Sequence, residues 1–340
     1  MKARFSVAVI AIAALLAAPF SFAADKFGIF ETIHASSVSF EETTAALDAA
    51  FETSGLSLHA THNVRLPDDT HKARVYVVTS SAYQDAAKTE SPRTASAQVL
   101  RIAVYTTGEA QATFVNMANP LAHAMVYYSG SSNYDAMLAA AKNAADEIRA
   151  LVSAVPGEAT SVQLEPMRSE KHYNKFKGDG PARMMAKFRN FRKSQLEIVD
   201  DTADNFDAVV ERVKAAIAAS EVADAEETEG WEQVAVIPFG DDAVYIGVTN
   251  PFIEDRMVRI NSRFRSDGKS DASPYPGVDH VTALPTDILV VREDGETKVL
   301  HYGQMWRMQL YFWDSGYRAF TANVGVPGAI VSSIRDTIGD

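Results

Sequence analysis

Few residues in this chain have the type and spacing for chemistry. His59 and His62 stand three apart in "LSLHATHNVRL", a spacing that could bind a metal on a helix. The segment alternates like a strand, which turns the two rings to opposite faces, and no Asp, Glu or His nearby in sequence completes a ligand set, so no metal site is expected. Two carboxylate pairs, Asp200-Asp201 and Asp241-Asp242, could share general acid-base work in a cleft, but one precedes a helix and the other sits in a turn, where capping and turn formation explain them. Asp279-His280 is the pair on which an unrecognised hydrolase would most readily draw. Nucleophile-elbow, phosphate-loop and dinucleotide-loop signatures are absent, and Ser129-Gly130 and Ser315-Gly316 read as helix-ending punctuation. No catalytic residue and no cofactor is therefore assigned.

A second kind of chemistry, apolar binding, is concentrated in "GQMWRMQLYFWDSG", residues 303–316, which holds two of the three tryptophans. Trp306, Leu310 and Trp313 fall at i, i+4 and i+7 of a helix, widened by Met308. Such a stripe is either core or the wall of a pocket under a sheet, and the second reading makes Trp306, Met308, Leu310, Trp313 and the nearby Asn250 candidate ligand contacts.

The chain that must position these residues begins with Lys2 and Arg4, an uncharged apolar run over 5–18, Pro19, and "SFA" before Ala24, the layout of a secretory signal peptide cleaved near Ala23/Ala24. The run is too short for a spanning helix. Export to the periplasm or beyond is expected, with integral insertion in a membrane not expected and peripheral contact left open. Cysteine is absent, which excludes disulfides and thiol catalysis. Losing Lys2 and Arg4 takes the formal net charge from −12 to −14, against nucleic-acid binding.

The remaining chain reads as two copies of one pattern. "SFEETTAALDAAFETSG" from Ser39 and "NFDAVVERVKAAIAAS" from Asn205 are amphipathic helices with the same apolar spacing, the first opened by a capping box of Ser39 and Glu42. "ARVYVVTSSAYQD" parallels "AVYIGVTNPFIED", and two hairpins follow, turning at Thr107-Gly108 and Asp294-Gly295. "MANPLAHAMVYYSG" then lines up with "GQMWRMQLYFWDSG" on their shared Ser-Gly ends, which sets Trp306 opposite Pro120, Leu310 opposite Ala124 and Trp313 opposite Tyr127. Each copy reads β-α-β-β-β-β-α, an α+β pattern. The second carries a loop-like insertion over about 257–283. Between the copies, residues 167–193 contain nine Lys or Arg against two acids. Residues from Pro181 form a predicted amphipathic helix whose Arg183, Lys187, Arg189 and Arg192 are candidate contacts for an acidic partner, the rest of the chain or an anionic membrane surface.

"TNPF" at 249–252, "LPTDILVVREDGETKVL" at 284–300 and "ANPLAHAMVYY" at 118–128 together resemble the bacterial domain-of-unknown-function family 302. The resemblance covers both copies and implies a tandem protein, so that the signal peptide over 1–23 is followed by a first such domain over 24–155, a basic linker over 156–193 and a second domain over 194–340. It also implies a TATA-box-binding-protein-like, helix-grip fold for each. Ser80-Ser81 and Val99-Leu100 in copy one depart from the Asn-Pro and Leu-Pro of copy two. The family supplies no catalytic residues to carry over. The expected function is an exported, non-catalytic binding or accessory protein of the cell envelope, taking a small apolar or amphipathic ligand or a protein partner. An uncharacterised hydrolase and a structural scaffold are the alternatives.

Overall fold

The computed structural model describes residues 25–67, 70–108, 110–180, 191–201, 205–220, 230–264 and 277–339. The first half opens with strand β1 (Lys26–Ser36) and helix α1 (Phe40–Phe51). The predicted capping box is present: Ser39 accepts from the Glu42 amide and the Glu42 carboxylate from the Ser39 amide. Next come β2 (Leu56–Asn63), β3 (Ala73–Ser80), the short α2 (Ser81–Ala86), a 3-10 arm (Pro92–Gln98), β4 (Leu100–Thr107), β5 (Ala112–Ala118), α3 (Pro120–Tyr127) and α4 (Tyr134–Val152). The second half repeats the series with β7 (Gln195–Asp201), α6 (Phe206–Ala219), β8 (Glu232–Phe239), β9 (Ala243–Thr249), α7 (Pro251–Phe264), a second 3-10 arm (Val278–Ala283), β10 (Thr286–Glu293), β11 (Glu296–Tyr302) and α8 (Gln304–Phe312), then α9 (Gly316–Ala322) and α10 (Val326–Ile338). Asn205 caps α6 as its sequence predicts.

Both sheets are antiparallel, and their strand orders correspond. The first runs β2-β3-β4-β5-β1 and the second β8-β9-β10-β11-β7, so the protein is α+β with the recurrence visible in its topology. The hairpin Asp294-Gly295 has positive φ at both central residues (56° and 82°), the twist-matched two-residue turn.

Three elements differ from the sequence reading. Residues 157–169, read as linker, form β6 (Gly157–Ser169), which pairs along β1 and extends the first sheet to six strands. Its mostly exposed, polar face lacks the apolar alternation that marks a half-buried strand. Within the insertion expected over 257–283, residues up to Phe264 continue α7 and Val278–Ala283 form the second arm. The alignment on Ser-Gly ends is two residues out of step. α3 begins two residues after β5 ends, and α8 begins two after β11, so Pro120 corresponds to Gln304. The Asn119 amide donates to the Ile29 carbonyl as the Gly303 amide does to Ser194. His123 therefore corresponds to Arg307, Tyr127 to Tyr311 and Trp306 to Ala122.

The halves interlock. The first arm packs on β9 and β10 of the second half, and the second arm on β3, β4 and β5 of the first. Ala95 and Val99 share an apolar cluster with Tyr245, Leu289 and Leu300, while Val278 and Val281 belong to the large core that spans both halves. Each sheet is thus covered by its own helices and by the arm of the other half. Residues 191–340 produced alone lose the cover that the first arm gives β9 and β10; they are expected to bind a hydrophobic dye and to melt well below the full chain, and a melt equal to the full chain would show that the arm is dispensable.

Candidate functional site

Trp306 and Leu310 are buried, and the surface they face is the chain itself. Helix α5 (Glu170–Asn174) follows β6, and Phe176 meets the Trp306 ring edge-on at 6.4 Å. Gly178 lies so close that an added Cβ would stand 2.7 Å from the Trp306 ring and 2.2 Å from Gln309 Oε1. Its φ of +90° also requires glycine. Trp313 covers Gly180 and packs edge-on to Phe320. Arg168 donates to the Gln309 and Leu310 carbonyls at the C-terminal end of α8, with Asp179 accepting from it at 2.6 Å. The two tryptophans hold the connector between the halves, which takes the surface that would otherwise be a ligand wall. Asn250 is a helix cap: its side chain accepts from the Ile253 amide and donates to the Gly230 carbonyl. Arg183, Lys187 and Arg189 lie outside the described residues. Arg192 falls in a 3-10 turn, Phe191–Ser194, whose Phe191 stacks on Tyr302 at 4.7 Å and meets Tyr127 edge-on, joining both halves.

Of the predicted ligand contacts, Met308 lines a cleft. The cleft lies between α7, α8 and α10, walled by Ile253, Met257, Leu284, Phe312, Val326 and Ile330, and encloses about 70 Å³. Its few polar groups come from Arg256, Thr286, Gln304, Arg307, Tyr311 and Asn323.

Arg307 and Tyr311 also reach a buried polar junction that sequence reasoning missed. Arg307 donates through Nη1 to Asp287 and through Nη2 to the Ala283 carbonyl, and Ser96 of the first arm donates to the other Asp287 oxygen at 2.9 Å. In the first half the equivalent pair is Arg101 on β4 and His123 on α3, with Arg101 Nη2 2.9 Å from His123 Nε2 and 3.3 Å from the Tyr311 hydroxyl. His123 Nδ1 donates to the Asn119 carbonyl at 2.8 Å, which leaves Nε2 as acceptor for Arg101 and Tyr311. Burial first, and then the Arg101 charge, push the imidazole down to about 3. His301 is arranged alike: Nδ1 donates to the Asp287 carbonyl, Nε2 accepts from Gln304, and burial lowers it to about 4. The junction thus contains two neutral histidines, two guanidinium groups and one carboxylate.

The other chemistry-bearing residues are used in structure. His59 meets Thr79 Oγ1 at 2.9 Å where β2 slips register against β3. His62 does find carboxylates, but from the other half: Nε2 is 2.8 Å from Glu254 of α7 and Nδ1 3.3 Å from Glu232 of β8. One atom from each of the three lies within 4.8 Å of the others, so a metal could be imagined there. However, the two carboxylates address opposite nitrogens of the ring, and the Arg65 guanidinium bridges both. Glu254, fully buried, accepts in addition from the Arg65 amide and Thr249. A cation is already present in the form of Arg65, and the cluster clasps β2 to the second half. His280 is fully buried on the first sheet, between Phe30 and Phe312 and flanked by Asp279 at 3.0 Å and Asp314 at 3.3 Å. Asp200 and Asp201 end β7, and Asp241-Asp242 form the β8–β9 turn, where they accept from Arg292.

No family model matches the chain, and no curated protein does. Among solved structures it is similar to the crystal structure of an uncharacterised conserved DUF302 protein from Bacillus stearothermophilus, at 15% identity and a TM-score of 0.31 over 37% of this chain and 97% of that one.

Two outcomes are expected. Asp287→Asn strands a buried guanidinium and should cost about 3–5 kcal/mol in urea unfolding; a loss under about 1 kcal/mol would mean that the pair is not buried as described. His123 and His301 are neutral when folded down to about 3 and 4 but take up a proton near 6.5 when unfolded, so the unfolded state binds more protons between these limits. Stability is therefore complete above pH 6.5 and falls as the pH drops towards 4, and His123→Gln with His301→Gln should flatten that fall.

Proposed function

We propose that this is an exported binding or accessory protein of the cell envelope, without catalysis of its own, that holds a small apolar or amphipathic ligand in the cleft of its second half. The observation that carries the reading is the cleft between α7, α8 and α10: apolar walls with two flexible methionines, Met257 and Met308, and a polar end at Gln304, Arg307 and Tyr311. An amphipathic molecule fits this division, its chain against the methionines and its polar end towards the guanidinium. The signal-peptide pattern of residues 1–23 supports the placement in the envelope. Among the described residues no helix is long and apolar enough to cross a membrane. A hydrolase has less to support it, because His280 is closed in by two aromatic rings and the other half, and His123 and His301 are spent on fixed hydrogen bonds.

The test is titration with an apolar fluorescent probe. Met308→Trp, which fills the cleft, is expected to weaken probe binding at least about tenfold, the loss of about 1.4 kcal/mol. Trp306→Phe, on the connector side of α8, should leave binding unchanged. Equal binding by wild type and Met308→Trp would remove the cleft from consideration.

A further inference from the structure

The junction is unbalanced in charge. Asp287 accepts from Arg307, but Arg101, 4% exposed, has no carboxylate partner among the described residues. Among the described residues its polar contacts are the neutral His123 ring and the Tyr311 hydroxyl, and its Nε–H meets no acceptor. The Tyr245 hydroxyl, buried within the field of Arg101, Arg307 and Asp287, also meets no partner among the described residues. Burial holds the Tyr127 and Tyr245 hydroxyls protonated, so neither supplies the missing negative charge. A buried guanidinium with an open N–H is strongly disfavoured unless an anion meets it. Both groups without partners can donate, and the local excess is a single positive charge.

We propose that the junction between the halves is a binding site for one small monovalent anion, a halide or a carboxylate, held by the Arg101 Nε–H and the Tyr245 hydroxyl. A dianion would overcompensate the charge. The anion has two possible sources: a free ion, or the carboxylate end of a molecule seated in the neighbouring cleft, whose wall shares Arg307 and Tyr311 with the junction. The site does not depend on the cleft being occupied.

The probe is bromide. Full-length protein, as purified and after extraction with organic solvent, is melted in sodium bromide, with a bulky sulfonate salt holding ionic strength constant. The melting temperature of extracted protein should rise by about 2 °C for each tenfold increase in bromide above its dissociation constant. Crystals grown in bromide should give an anomalous peak beside Arg101 Nε. Arg101→Met should abolish the bromide response, and Tyr245→Phe should raise the bromide requirement about tenfold, as loss of one hydrogen bond to an anion does. A response in both preparations identifies a free ion, and a response only after extraction identifies the carboxylate of a bound amphiphile. The proposal is overturned if extracted protein is indifferent to bromide or if Arg101→Met responds as wild type does. Should Arg101→Met fail to fold, Tyr245→Phe and the anomalous peak decide.

Discussion

The contact on which the rest of the structure turns is the buried ion pair of Arg307 and Asp287, sealed by Ser96. The guanidinium comes from α8, the carboxylate from β10 and the hydroxyl from an arm of the opposite half. Removing such a pair from water is costly, and it holds only when every donor and acceptor is met. The Ala283 carbonyl, at the end of the second arm, accepts from Nη2 of the same guanidinium. Both arms are therefore tied to the same charge, and the interlocking of the sheets follows from it.

Around this centre the apolar packing has a simple logic. Each sheet has one face for its own helices and one that an isolated half would leave wet. Arms of small residues, Ala95, Ser96 and Ala97 in the first and Thr282 and Ala283 in the second, fit where larger side chains would hold the sheets apart. The connector then closes the seam from outside, with Phe191 between Tyr127 and Tyr302 and Phe176 and Gly178 on Trp306. This accounts for the aromatic richness of residues 303–316: Trp306 of α8 and Trp313 just beyond its end grip the connector, while Met308 and Phe312 turn to the cleft.

What was legible in the sequence was local. The Ser39–Glu42 box, the Asn205 cap and the Asp294-Gly295 turn each depend on residues within a few positions, and the repeated strand-helix order follows from periodicity. β6 was not legible, because an exposed edge strand carries no apolar alternation. The junction was hidden for another reason. Its members lie up to about two hundred residues apart, and matching the copies on their Ser-Gly ends misaligned His123 and Arg307. A signal was nevertheless present: Arg101 in "LRIAVY" and Asp287 in "TDILVV" are charges in otherwise apolar strands, at the same place in each copy. The clasp of His62 by Glu232 and Glu254 was equally out of reach, since both carboxylates come from the opposite half.

The correspondence of Arg101 with Asp287 and of His123 with Arg307 has a consequence for symmetry. Two identical subunits related by a twofold axis must place the same residue on both sides of it, so a charge on the axis meets its own kind. Joining two similar halves in one polypeptide lifts that restriction. The centre of this protein uses the freedom: one side presents an acid where the other presents a base, and the junction acquires a direction that no homodimer of either half could have.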